Sequence, residues 1–69
     1  MPLSMANPGE CVTIRRITGK DDTIRFLNRL GLIEGEPVTV ISSIAGNLIL
    51  GVKGARVALD RQLSSRIVV

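Results

Sequence analysis

Only one stretch of this chain carries a helical rhythm. Between Asp22 and Leu30 the apolar residues Ile24, Phe26, Leu27 and Leu30 fall within about 160° of arc at ~100° per residue, the pattern of an amphipathic helix. Asp21 or Asp22 is placed to cap its N-terminus and to favour the positive end of its dipole, and Gly31 suits a left-handed residue just past its C-terminus. In Glu10 to Ile17 and in most of the chain after Gly35, apolar and polar residues alternate at period two, the period of a half-buried strand. A fold with one short helix inserted into an otherwise β order follows.

The strands can be placed in turn. Glu10 to Ile17 begins after the turn pair Pro8-Gly9 and sets Val12 and Ile14 on one face. Strict alternation would turn Arg16 inward and Ile17 outward, so a bulge or twist is expected near Arg15-Arg16 that returns Ile17 to the core. After the link Leu32-Ile33-Glu34-Gly35, Val38 and Val40 share a face within Pro37 to Ser42. Leu48, Leu50 and Val52 do so in the next run, then Ala55, Val57 and Leu59, and finally Ile67 and Val69. Ala45-Gly46-Asn47 and Lys53-Gly54 are of the kind that supply positive φ at hairpin turns, and Asp60 to Ser65 suits one helical turn. The prediction is a mainly β, five-stranded small barrel, with one short α-helix between strands one and two and a short helical turn before the last strand.

At 69 residues the chain supports one domain, 1–69, read with residues 1–8 as an extended N-terminal arm. The hydrophobic share is 45%, with one Phe and no Tyr or Trp, so the core must be aliphatic. No apolar run approaches the ~20 residues of a membrane helix, and Met1 to Pro8 carries no Lys or Arg, which reads as neither a signal nor a transit peptide. A single cysteine permits no internal disulfide and suits a reducing compartment, so a cytoplasmic location is expected.

Chemistry is bounded by what is missing. There is no His, no Gly-x-Ser-x-Gly and no phosphate-binding Gly-x-x-x-x-Gly-Lys, so no catalytic residues are assigned. One Cys without His offers no tight transition-metal site. Glu10 and Cys11, adjacent on a strand, point to opposite faces, and Cys11 is read as a small residue filling one sheet face rather than as a ligand. Net charge is +3, but Arg15, Arg16, Arg25, Arg29, Lys53, Arg56 and Arg61 alternate with acids and no Tyr or Trp is present to stack bases, which argues against nucleic acid.

The order of elements, strand, helix, Gly-Leu-x-x-Gly link and four more strands, resembles the ferrous iron transport protein A (FeoA) family with its SH3-like core. The residues that carry the likeness are Pro8-Gly9-Glu10, Arg25-Phe26-Leu27, Leu30-Gly31-Leu32-Ile33-Glu34-Gly35 and Val38-Thr39-Val40. It continues through Gly46-Asn47-Leu48-Ile49, Val52-Lys53, Arg56-Val57-Ala58-Leu59 and Ile67-Val68-Val69, so nearly the whole chain is covered. Two places depart from the family pattern: the hairpin Ile44-Ala45-Gly46-Asn47, where many members hold prolines, and Leu59-Asp60, where a Leu-Arg pair is common. The resemblance implies a bacterial, cytoplasmic, non-enzymatic accessory of ferrous iron uptake, with Fe²⁺ as pathway cargo rather than bound cofactor, acting on a permease that carries a GTP-binding domain. The same barrel also appends to iron-dependent repressors and serves as an RNA-binding module, and both readings remain alternatives.

A docking surface is suggested by apolar residues out of phase with the core, Ile33, Ile41, Ile44 and Ile49, with Phe26 at the margin of the helix stripe. The partner-binding candidates are therefore Ile33, Ile44 and Ile49 as anchors, Phe26 as their support, and Arg25 and Arg29 as orienting charges. They are expected to meet in a groove between the helix exit and the hairpin that follows. The alternative is that the small barrel simply wraps around these residues, and a second copy docking through the same patch, giving a homodimer, is a third reading.

Overall fold

A computed structural model describes residues 1–69 and shows the expected mainly β architecture, with six strands rather than five. The first predicted strand divides into β1 (Cys11–Thr13) and β2 (Arg16–Ile17). Ile14 is buried, Arg15 and Arg16 are both exposed, and Ile17 is buried again, so the alternation slips where the bend was expected. The chain thereby passes from one sheet to another. β1 pairs with β3 (Pro37–Ile44) in a four-stranded antiparallel sheet ordered β1-β3-β4-β5, with β4 (Asn47–Val52) and β5 (Ala55–Leu59) following. β2 pairs with β6 (Ile67–Val68) in a separate two-stranded sheet, so the pairing does not run all the way round as a closed barrel.

Helix α1 (Asp21–Arg29) follows β2, and its N-cap is Lys20, which makes no side-chain capping bond. Neither aspartate is the cap: both lie in the first turn, where they still complement the helix dipole, and Asp22 Oδ1 accepts from the Thr23 N–H at 2.9 Å. The C-terminus closes as a Schellman motif. The N–H of Gly31 (φ +92°) donates to the Asn28 carbonyl and that of Leu32 to the Leu27 carbonyl, both at 3.0 Å. Leu27 and Leu32 are fully buried, which seats the helix exit in the core. α2 (Arg61–Ser64) is the expected short turn, capped by Asp60, whose Oδ1 accepts from the Leu63 N–H at 2.8 Å.

Residues 1–8, read from sequence as an extended N-terminal arm, are not extended throughout. Leu3–Met5 form a 3₁₀ turn, Leu3 and Ala6 are buried in the core, and Pro2 bridges to Val68. The arm is drawn in because Leu3 supplies apolar volume that a small aliphatic core needs.

Both hairpin loops have two residues with positive φ: Ala45 (53°) with Gly46 (85°), and Lys53 (50°) with Gly54 (78°). These are type I′ turns, matched to the strand twist. Alanine is the less suited occupant, because its Cβ crowds the following carbonyl in the left-handed region. Replacing Ala45 with asparagine is expected to raise stability by about 0.5–1 kcal/mol, read as a higher urea midpoint at unchanged slope.

Candidate functional site

The outer face of the four-stranded sheet carries a candidate site, a groove shaped by a bulge in β3. Val40 pairs with Leu50, but Ser42, not Ile41, faces Ile49, so an extra residue is accommodated and the strand bends. That shift explains why apolar residues fall out of phase in this segment. Ile44 stands 75% exposed near the hairpin tip and Ile49 40% exposed in mid-strand. With Ser42, Asn47, Ala58 and Asp60 they line a shallow, mainly apolar groove of about 470 Å³.

The groove wall is pinned from behind. Asn47 Oδ1 accepts from the Arg61 N–H at 2.8 Å, and the hydroxyl of buried Ser64 donates to the Gly46 carbonyl at 2.7 Å. A Cβ at Gly46 would meet Arg61 Cγ at 2.7 Å, so α2 lies directly against the hairpin turn. These bonds engage one oxygen each of Asn47 and Asp60 in holding α2, beside a lining that is otherwise mainly apolar. No three His, Cys, Asp or Glu side chains cluster as metal ligands. Cys11, expected as a face-filling residue, is exposed on the edge strand β1, with its side chain on the face opposite half-buried Val12.

Of the six residues singled out by sequence, the structure brings Ile44 and Ile49 together in this groove. Phe26 and Ile33 are exposed, at 45% and 40%, but belong to a different region. The helix exit abuts the far end of β4, where a Cβ at Gly31 would lie 3.6 Å from Val52 Cγ1, while Ile44 pairs with Asn47 at the opposite end of that strand. Ile33 lies in the turn leading to Glu36, whose carboxylate pairs with Lys53 at 3.5 Å beside Val52. Arg25 and Arg29 are exposed on α1 and make no ion pair; the Lys53–Glu36 contact is the one salt bridge in the molecule. The expected single groove from helix exit to hairpin is therefore two separate surfaces.

Ala58 was missed, although counting could have found it. A two-residue loop at Lys53-Gly54 sets Val52 opposite Ala55 and hence Ala58 opposite Ile49. Ser42 and Asp60 carried no such signal, since their place depends on the bulge and on α2.

Comparison with known proteins bears on the family and the fold. The FeoA domain model matches residues 1–69. A Methanocaldococcus jannaschii protein, named provisionally as Fe(2+) transport protein A, is 31% identical over 68 residues, spanning 99% of this chain and 83% of that one. A crystal structure of an iron uptake regulatory protein (FeoA) superposes with a TM-score of 0.91 at 31% identity, over 97% of this chain and 91% of the other. Stenotrophomonas maltophilia FeoA, an SH3 domain protein solved in complex with zinc, superposes at 0.82 with 26% identity, over 99% and 87%. No helix here is long and apolar enough to cross a membrane. The chain belongs to the FeoA family, whose members are associated with ferrous iron transport, and it carries that family's SH3-like fold.

Proposed function

We propose that this protein is a non-enzymatic, cytoplasmic regulator of ferrous iron uptake that docks on the GTP-binding part of the iron permease. The observation that carries the reading is the open, mainly apolar groove with Ile44 and Ile49 exposed at its mouth, a concave surface of the kind that takes a partner segment. The S. maltophilia relative is described as a candidate ferrous iron transport activating factor, which supports a role in modulating transport. Fe²⁺ is the cargo of the pathway; with one Cys and no His, this chain offers it no donor set of the usual kind. Regulation would come from unequal affinity for two states of the permease domain, since a binder without chemistry acts only by shifting a population.

Capture of the permease's GTP-binding domain by immobilised protein tests this. The wild type is expected to retain it, and Ile44→Asp with Ile49→Asp to reduce retention at least ~10-fold, the scale of losing apolar anchors from an interface centre. The double variant should stay folded with its thermal midpoint lowered by no more than about 10 °C, because Ile44 is 75% exposed and an aspartate at half-covered Ile49 in mid-strand costs about 1 kcal/mol. Undiminished capture by a folded double variant would rule this groove out.

A further inference from the structure

β5 ends its sheet: the order β1-β3-β4-β5 leaves its far side without a neighbouring strand. The pairing of Val52 with Ala55 across a two-residue loop determines which of its backbone groups are used. The residues flanking such a loop exchange both hydrogen bonds, so Ala55, Val57 and Leu59 bond to β4, while the N–H and C=O groups of Arg56 and Ala58 point away from it. None of those four groups takes part in the loop and cap hydrogen bonds, and both residues are exposed. An edge of this kind is a template for strand addition, and β5 carries neither proline nor bulge to block it.

Side chains on this edge give it chemical character. Arg56 and Ala58 lie on the outer face, opposite Gly51 and Ile49. Ala58 is small and lines the groove beside Ile49, leaving room for a large apolar side chain from an added strand. Arg56 has no acidic partner. We infer that β5 accepts an extended segment of a partner protein as an added antiparallel strand, with a large apolar residue opposite Ala58, an apolar residue opposite Val57 and an acidic residue opposite Arg56. This rests on the reading that the outer face of β3–β5 is the docking face, and specifies the kind of segment that face takes.

A second copy is the poorer occupant. Antiparallel self-pairing centred on Val57 sets each Arg56 against an alanine, and pairing centred on Arg56 sets like charges opposite one another. Centring on Ala58 brings Arg56 towards Asp60, but that carboxylate already accepts from the Leu63 N–H and lies beyond the strand end. An edge of five residues, roughly 16 Å long, is also short of the area a stable dimer buries.

The test uses the full chain and the capped peptide acetyl-Thr-Leu-Val-Glu-Ile-Thr-amide, whose Leu, Val and Glu meet Ala58, Val57 and Arg56 in an antiparallel register. Saturating peptide is expected to slow amide hydrogen exchange at Arg56 and Ala58 at least ~10-fold, the signature of new main-chain hydrogen bonds. Ala58→Pro removes an N–H that β4 does not use, at an edge position where proline is tolerated, and is expected to weaken binding at least ~10-fold. Replacing the peptide's Glu by Lys should weaken binding to wild type ~5-fold, and Arg56→Glu should reverse that preference. Equal binding to folded Ala58→Pro, or binding without protection at those two amides, overturns the inference. If Ala58→Pro does not fold, the Arg56→Glu preference decides: reversal supports strand addition and no reversal overturns it. Protection of the same amides on dimerisation without peptide would assign the edge to a second copy and overturn the partner segment. Capture of the permease domain by Ala58→Pro at wild-type strength, with loss in the Ile44/Ile49 double variant, would end strand addition and leave the docking reading standing. Peptide addition without permease capture would do the reverse.

Discussion

Leu3→Ala is expected to destabilise the protein by about 3 kcal/mol, within the range for deleting a buried leucine side chain. Leu3 has no exposed surface and belongs to the same core as Leu27, Leu50 and Ile67. Its position is fixed by the 3₁₀ turn, in which the Met5 N–H donates to the Pro2 carbonyl at 3.0 Å and the Ala6 N–H to the Leu3 carbonyl at 2.9 Å, and by the Pro2–Val68 bridge. A domain of this length has only roughly 3–10 kcal/mol of stability, so this loss would leave a substantial unfolded fraction at 37 °C. Urea unfolding followed by circular dichroism measures it. A loss below about 1 kcal/mol would mean that the N-terminal segment is not part of the cooperative unit. Met5→Ala is the matched control, since Met5 is 67% exposed and its truncation should stay within about 0.5 kcal/mol.

Ser64→Val is expected to cost a similar amount, about 3 kcal/mol, for a different reason. Ser64 is fully buried, and its hydroxyl donates to the Gly46 carbonyl at 2.7 Å and lies 3.2 Å from the Arg61 carbonyl. Valine would leave the Gly46 carbonyl without that partner and add volume where none is free. The consequence reaches the groove, because Ser64 ties α2 to the hairpin whose flank carries Ile44. Amide exchange should accelerate at Asn47 and Arg61 before the rest of the sheet opens. Ser65→Ala should be nearly neutral, as its hydroxyl reaches only the Gln62 carbonyl from an exposed position. Equal effects at the two serines would show that the tie to Gly46 contributes nothing.

The candidate site was half legible. Ile44 and Ile49 announce themselves by breaking the alternation, and the structure places both in the groove. Phe26, Ile33, Arg25 and Arg29 were grouped with them because the helix exit and the hairpin seemed adjacent, yet these features sit at opposite ends of β4. Adjacency between elements distant in sequence depends on how the sheet curls, which local periodicity does not encode.

Sequence alone determined the local terms: the amphipathic helix with its glycine exit, positive-φ hairpin turns at Ala45-Gly46-Asn47 and Lys53-Gly54, the bend at Arg15-Arg16, and an aliphatic core. Each is decided within a few residues by backbone sterics and side-chain period. Tertiary structure decided that the N-terminal residues fold inward and that Cys11 faces solvent. It also decided that Ile41 is absorbed by a bulge and that β5 keeps a free edge beside the groove. Those outcomes depend on which faces are left to cover once the strands have paired, and burial is a property of the assembled sheets rather than of any segment within them.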